Sequence, residues 1–110
     1  MKMSFVLPLL LVGFAAWAQE AMPRMSTIEP GSGKKGDVVV VTGENLDKSN
    51  VAKVYLTNGK DDLECVITEQ TATEVKFKIP DKATGRMALM ILTGGKEPKL
   101  IEQPVKVSIE

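Results

Sequence analysis

The chain has 110 residues, and its 14 lysines and arginines balance its 14 aspartates and glutamates, so the formal net charge is zero. A neutral chain exerts no long-range attraction on nucleic acid or on an anionic membrane surface, and neither is predicted as a partner. Because the chain contains no histidine, it lacks the commonest general base and ordinary zinc ligands, and we predict no enzyme and no metal or other cofactor.

Residues 1–18 have the pattern of a signal peptide. Lys2 supplies a positive charge, a mostly apolar stretch follows, and Ala16-Trp17-Ala18 forms a small-residue cleavage site. The alternative is an uncleaved anchor, but a spanning helix needs about 20 apolar residues, and this run is shorter and contains Pro8. We predict cleavage before Gln19, export to the periplasm, cell envelope or medium, and no stable membrane insertion afterwards.

Residues 19–26 form a short, polar segment, which we predict to be a flexible lead-in to a domain over residues 27–110. In that domain, runs of β-branched and apolar residues alternate with Gly, Pro, Asn and Asp, which is typical of short strands. Gly or Pro interrupts nearly every window long enough for a helix. About seven strands are predicted: Thr27–Glu29, Val38–Thr42, Val51–Thr57, Glu64–Thr68, Glu74–Ile79, Met87–Thr93 and Val105–Ile109.

Three glycines at the start of this domain have the G-x-G-x-x-G spacing of a dinucleotide-binding loop: Gly31, Gly33 and Gly36. Such a loop opens a helix whose N-terminus holds the phosphate, whereas here the apolar strand Val38–Thr42 follows. A Walker loop is excluded because Asp37 stands where its lysine should be. We therefore predict no nucleotide, and expect Gly31 and Gly33 to supply positive φ angles for a reversal while Gly36 turns the chain into the second strand.

Alternation of apolar and polar residues identifies the inward faces of several strands. In two strands the apolar set is unambiguous: Val75, Phe77 and Ile79, and then Val105, Val107 and Ile109. In the second strand we expect Val39 and Val41 to face inward, which leaves Val38 and Val40 apolar on the other face. Half-buried strands of this kind predict an all-β, immunoglobulin-like sandwich of antiparallel strands, with a small closed barrel as the alternative.

Two polar loops are candidate sites. One carries the acids Asp61, Asp62 and Glu64 directly after Asn58-Gly59, a pattern that predicts a hairpin turn rather than a catalytic acid pair. The other offers the oxygen ligands that Ca²⁺ prefers, without the spacing of an EF-hand: Glu44, Asn45, Asp47 and Asn50. Either this loop binds calcium, or its side chains bond the local backbone and fix the turn.

The segment from Ile28 to Leu46 resembles the start of an IPT/TIG domain. The matching positions are Ile28, Pro30, Gly33, Gly36, Val39, Val41, Gly43, Asn45 and Leu46. Further on, VAKVYLTNG, TATEVKFKIP and GRMALMILTGG are similar to later strands of that family. The resemblance covers residues 27–110 and implies an immunoglobulin-like sandwich, a fold that serves many unrelated functions.

The resemblance also bears on the single cysteine and on carbohydrate. Many extracellular members pair two cysteines, and Cys65 corresponds to the first while Phe77 stands near the second, so that disulfide is absent. We predict Cys65 to be a small core residue, with an exposed thiol as the alternative. The family includes accessory domains of starch-acting enzymes, which implies a sugar ligand as an alternative, but only Tyr55 is expected to be an exposed aromatic residue of the domain.

The most unusual strand is Met87–Thr93. The resemblance places Met87, Leu89 and Ile91 in the core, so the outer face carries a candidate protein-contact patch with the adjacent third strand: Tyr55, Ala88, Met90 and Leu92. Methionine-rich surface suits adaptable protein contacts. The alternatives are that the lead-in or a loop covers these residues, or that they are scattered exposed residues. We predict an exported, non-catalytic binding or structural module that contacts a protein partner or itself; an accessory carbohydrate-binding domain and a calcium-stabilised adhesion module are the alternatives.

Overall fold

The computed structural model of the protein describes residues 22–110. The predicted signal peptide over residues 1–18 and the first part of the predicted lead-in lie outside the described residues. Within the described range the chain forms strands and no helix, and therefore contains no helix suited to crossing a membrane. The strands are β1 (Arg24–Glu29), β2 (Ser32–Gly33), β3 (Val38–Glu44), β4 (Val51–Thr57), β5 (Asp62–Glu64), β6 (Val66–Gln70), β7 (Glu74–Lys78), β8 (Gly85–Thr93) and β9 (Leu100–Ile109).

The strands form two sheets, with the orders β1-β3-β7-β6 and β2-β9-β8-β4-β5. This two-sheet arrangement confirms the predicted immunoglobulin-like sandwich. Six of the seven predicted strands are present as single strands, and β2 and β5, which were not predicted as separate strands, are only two and three residues long. Strands this short carry too little alternation to be recognised in a sequence. The β2–β9 pair is parallel, with Ser32 opposite Ser108 and Gly33 opposite Ile109, whereas the other pairs are antiparallel.

The first strand begins at Arg24, three residues before the predicted start, so the end of the predicted lead-in belongs to the sandwich. Its Met25 side chain is fully buried. The Met25 N–H donates a hydrogen bond of 2.7 Å to Oε1 of the buried Gln103 on β9. This bond joins β1 in one sheet to β9 in the other. It also gives the buried Met25 N–H a hydrogen-bond partner in place of water.

The predicted strand Glu64–Thr68 is divided between the two sheets. Residues up to Glu64 form β5 beside β4, and residues from Val66 form β6 beside β7. Cys65 lies at the crossing, where its N–H still donates to the carbonyl of Val54 at 2.9 Å. The prediction of one continuous strand was wrong here, because a crossing between sheets leaves the local residue pattern unchanged.

The core lies between the two sheets and contains the residues that alternation predicted. Five of them are at most 1% exposed: Val39, Val41, Val75, Phe77 and Ile79. Phe77 is the only aromatic residue in this core among the described residues. Val105 and Val107 are also buried, and Ile109 packs against the core.

The glycine-rich segment is a turn, although not in the way we predicted. Of its three glycines only Gly36 has a positive φ, 84°, whereas Gly33 lies in β2. Asp37 fixes the turn, because its Oδ2 accepts a hydrogen bond from the Lys34 N–H at 2.9 Å and its own N–H donates to the Lys34 carbonyl at 3.0 Å. The chain then continues into β3 rather than into a helix, so no helix N-terminus stands behind these glycines.

Candidate protein-contact face

The candidate patch lies on the outer face of the sheet that contains β4, β8 and β9. Tyr55 on β4 is directly opposite Met90 on β8, and Leu92 follows on the same face of β8. All three side chains are half-buried. Leu100 on β9 is opposite Leu92 and is 55% exposed. We call Tyr55, Met90, Leu92 and Leu100 the outer patch.

Sequence reasoning missed Leu100. The predicted last strand begins only at Val105, and the segment before it contains Gly94, Gly95 and Pro98. In the structure β9 already begins at Leu100, because it pairs with β8 across that loop. Only this pairing between strands places Leu100 beside Leu92.

Ala88 does not belong to the outer patch. It is 7% exposed, so the prediction that it is accessible was wrong. Ala88 lies between Thr57 on β4 and Lys106 on β9. Lys106 lines a depression above Ala88. The longer side chains of Arg86 and Glu102 line the same depression. A methyl group is too short to rise above such neighbours, although its backbone has the outward orientation that was expected.

Charged side chains flank the outer patch on two sides. Glu64 on β5 is opposite Tyr55, and Glu102 on β9 is opposite Met90. Lys53 is opposite Leu92, and its Nζ lies 3.6 Å from Oε1 of Glu64. An apolar centre with a charged and polar rim is the usual composition of a protein-contact surface.

The outer face of the other sheet is less apolar than the sequence indicated. Val38 is 45% exposed and is opposite Lys78, whereas Val40 is half-buried between Lys76 and Glu29. The alkyl stems of lysines can cover neighbouring apolar side chains while their charges stay in water. These two valines therefore form a narrow strip between charged neighbours rather than a second broad patch.

The oxygen-rich loop between β3 and β4 is held by its own hydrogen bonds. Oδ1 of Asp47 accepts a bond from the Asn50 amide at 3.1 Å, and its Oδ2 accepts one from the Ser49 hydroxyl. The Ser49 bond, helped by Asn50 and opposed by partial burial, lowers the pKa of Asp47 below its usual value. Asn45 has a φ of 57° and its amide donates to the Met22 carbonyl at 3.1 Å. These contacts favour the turn-forming role over calcium binding.

The acidic residues after β4 lie in the predicted hairpin. Oδ1 of Asn58 accepts hydrogen bonds from the N–H groups of Lys60 and Asp61, both at 2.8 Å, and Gly59 has a φ of 92°. The Thr57 hydroxyl donates to Oδ1 of Asp62 at 2.7 Å. Within residues 22–110, no group of three or more acidic, cysteine or histidine side chains is placed to hold a metal ion.

Cys65 is a buried free thiol, 4% exposed, at the crossing between the sheets. This confirms its prediction as a core residue. Burial raises the pKa of the Cys65 thiol from 9.0 to about 12, since an apolar environment disfavours the thiolate. The thiolate is the reactive form, so this cysteine is protected against alkylation and oxidation in the folded state.

We expect Cys65 to react with iodoacetamide at pH 8 about a thousandfold more slowly in the folded protein than in urea, because the raised pKa lowers the thiolate fraction by that factor. The free energy of unfolding should also fall as pH rises above about 9, where only the unfolded thiol ionises. Mass spectrometry of timed labelling reactions measures the first effect. Rapid labelling of the folded protein at a rate near that in urea would contradict the buried position.

The two sheets define an immunoglobulin-like β-sandwich. The chain belongs to the IPT/TIG domain family, whose model matches residues 23–109. This match confirms the resemblance stated from the sequence. No curated protein sequence matches the chain.

Several solved structures with the same fold come from Bacteroides. A protein of unknown function from Bacteroides thetaiotaomicron VPI-5482 matches with a TM-score of 0.70 and 20% identity, over 87% of this chain and 24% of its own. An auxiliary nutrient binding protein from Bacteroides ovatus ATCC 8483 matches with a TM-score of 0.59 and 22% identity, over 83% and 21%. The Bacteroides ovatus mixed-linkage glucan utilization locus protein SGBP-B, in complex with a mixed-linkage heptasaccharide, matches with a TM-score of 0.51 and 19% identity, over 73% and 21%. The chain thus spans a quarter or less of each of these proteins.

Proposed function

We propose that this domain is a non-catalytic binding module that contacts a protein partner, or a second copy of itself, through the outer patch. The observation that carries the proposal is the direct pairing of Tyr55 with Met90 on the outer face, continued by Leu92 and Leu100. Tyrosine and methionine are enriched at protein interfaces, where they provide large apolar contact area.

The polar groups of the domain support a binding role rather than a catalytic one. The carboxylates of Asp47 and Asp62 accept hydrogen bonds from residues of their own loops. The only thiol of the chain is buried and its pKa is raised, so it is a poor nucleophile. None of these groups is arranged as a nucleophile with a neighbouring base.

The export predicted from the sequence supports the same proposal. The predicted signal peptide over residues 1–18 would deliver the domain to the periplasm, the cell envelope or the medium. Similar domains occur in a Bacteroides nutrient binding protein and in a glycan-utilization protein. These neighbours support a module that holds or positions a larger protein at the envelope.

The test is a double substitution, Met90→Lys with Leu92→Lys. We expect it to abolish self-association or the crosslinked capture of a specific partner from the native compartment, because two charges would have to be buried in the contact. The melting temperature should change little, since both side chains are only half-buried. Analytical ultracentrifugation and crosslinking with mass spectrometry measure the two readouts.

The matched control is Val38→Glu with Val40→Glu on the outer face of the other sheet. Glutamates are chosen there because position 38 is opposite Lys78 and position 40 lies between Lys76 and Glu29, so each new acid has a lysine beside it. The control should keep the association that the Met90 and Leu92 substitutions remove. Association that survives in both variants would contradict the role of the outer patch.

Carbohydrate binding is the second candidate, favoured by the sugar-bound neighbour with the same fold. A sugar platform needs exposed aromatic rings, and Phe77 is fully buried, which leaves Tyr55 alone on this face. Isothermal titration with a mixed-linkage glucan heptasaccharide separates the two candidates. Saturable binding of the heptasaccharide that is lost in the Tyr55→Ala variant would favour carbohydrate binding. Absence of heptasaccharide binding would leave protein contact as the proposed function.

A further inference from the structure

The hairpin between β4 and β5 contains the only Asn-Gly pair of the chain, Asn58-Gly59. In such a pair the backbone nitrogen of the glycine can attack the side-chain Cγ atom of the asparagine. Only Cβ, Cα and the carbonyl carbon of Asn58 separate the two atoms, so the attack closes a five-membered ring. Gly59 has a φ of 92° and carries no Cβ that would hinder this approach.

The carbonyl group under attack is already polarised by the turn. Oδ1 of Asn58 accepts hydrogen bonds from the N–H groups of Lys60 and Asp61, both at 2.8 Å. When the Gly59 nitrogen adds to Cγ, negative charge develops on this same oxygen, where the two donors stabilise it. Asn58 is exposed, so water can deliver a proton to the departing Nδ2.

A chain of hydrogen bonds leads away from the attacking nitrogen. The Gly59 N–H donates to the hydroxyl oxygen of Thr57 at 3.1 Å, and this hydroxyl donates to Oδ1 of Asp62 at 2.7 Å. Thr57 is 7% exposed, so little water reaches the hydroxyl between the two groups. The Gly59 proton can therefore pass to Thr57 while the Thr57 proton passes to the Asp62 carboxylate, which acts as the base.

Two cations stand where a carboxylate would form. Asn58 and Gly59 line the depression above Ala88 together with Arg86 and Lys106. Neither cation takes part in the two ion pairs found within residues 22–110, and Glu102 is the one acid that lines the depression. A carboxylate at position 58 would gain these cations as neighbours, which favours its charged form.

We propose that Asn58 is a site of self-modification, at which the folded hairpin promotes conversion of the asparagine to aspartate and isoaspartate. The bond between the Gly59 nitrogen and Cγ forms, the bond between Cγ and Nδ2 breaks, and Nδ2 leaves as ammonia. The proton lost by Gly59 is balanced by the one that ammonia gains. Water then opens the succinimide ring at either of its carbonyl carbons.

This reaction goes beyond the proposed binding function and does not depend on it. Each chain reacts once and acts on no other molecule, so the domain remains non-catalytic. The product carries a new negative charge at the hairpin, and isoaspartate adds one carbon to the backbone of the turn. The outer patch contributes no group to the reaction, so the Met90→Lys with Leu92→Lys variant should react at an unchanged rate.

The test compares the purified folded protein with a synthetic peptide of residues 54–63 at neutral pH. We expect loss of the Asn58 amide to be at least about fivefold faster in the folded protein, because the peptide has the Asn-Gly pair without fixed donors or a base. Peptide mapping by mass spectrometry measures the loss, and enzymatic methylation detects isoaspartate. Asn45 and Asn50 precede Leu46 and Val51, whose side chains hinder attack, and should stay intact.

Substitutions in the hydrogen-bond chain provide the second arm. Asp62→Asn keeps an oxygen that can accept the Thr57 hydroxyl but removes the base, and should slow the reaction about threefold or more, whereas Asp62→Glu should restore it. Thr57→Val should slow it similarly, and Thr57→Ser should not. The same substitutions in the peptide should have no effect.

Melting temperatures of the variants establish that each is folded before its rate is compared. A folded protein that loses the Asn58 amide no faster than the peptide would overturn the proposal. So would unchanged rates in both Asp62→Asn and Thr57→Val, because the hydrogen-bond chain would then play no part in the reaction.

Discussion

Replacing Gly43 by alanine is expected to destabilise the domain by about 3 kcal/mol or more. Gly43 lies in β3 opposite Met25 of β1. A Cβ atom at this position would overlap the carbonyl oxygen of Arg24 and come within 2.9 Å of the Met25 Cα. Both obstacles are backbone atoms, so relief requires β1 to move away from β3 rather than a side chain to rotate.

That movement would also disturb the link between the sheets. The Met25 N–H bonds to Gln103 across the sandwich, so a displaced β1 loses a buried hydrogen bond as well as packing. Denaturant unfolding followed by circular dichroism measures the loss. A fall of about 12–24 °C in melting temperature corresponds to 3 kcal/mol for a domain of this size.

Gly31→Ala is the matched control. Gly31 has no positive φ, and a Cβ there would meet nothing within 4 Å. We expect a change within about 0.5 kcal/mol. If both variants lost the same free energy of unfolding, the close approach of β1 and β3 would not explain why position 43 requires glycine.

Phe77→Ala is the second substitution with a large expected effect, a loss of about 3–5 kcal/mol. Phe77 is 0% exposed and lies on β7 between β3 and β6, with Val39 and Ile67 as its neighbours in register. Since no other described aromatic residue fills this core, the surrounding aliphatic side chains would have to collapse into the space of a whole ring.

The adjacent residue provides the control for Phe77. Lys78→Ala changes an exposed side chain on the same strand and should alter stability by no more than about 0.5 kcal/mol. Phe77→Leu should cause an intermediate loss, because leucine restores part of the volume. Both measurements use denaturant midpoints at a constant m-value. A Phe77→Ala loss as small as that of Lys78→Ala would contradict the central position of the ring.

Residues whose burial follows from local alternation could be predicted from the sequence. Val75, Phe77 and Ile79 are such residues, because a strand with one buried face repeats every two positions whatever its partners are. Alternation alone could not orient β8, because residues 87–92 are all apolar. The family resemblance predicted that Met90 would lie on the outer face beside Tyr55 of the adjacent strand.

The sequence predictions were wrong where residues far away in the sequence determine the strand bounds or the burial of a side chain. Met25 is in β1 because Gln103 and Gly43 accommodate it, and both are far away in sequence. Ala88 is buried because its neighbours on β9 have longer side chains. The chain leaves one sheet at Cys65 without any change in its residue pattern. No local pattern contains this information, so these features required the assembled sandwich.

The parallel β2–β9 pair also determines how the domain resists mechanical tension. Residue 25 is level with residue 103 of β9, whereas residue 33 is level with residue 109, about 20 Å further along the strand. Stretching the domain between its first and last strands therefore slides β2 and β9 past each other. The bonds from Ser108 and Glu110 to the carbonyls of Gly31 and Gly33 share that shear and must break together. Such a geometry loads the two bonds at the same time rather than one after the other.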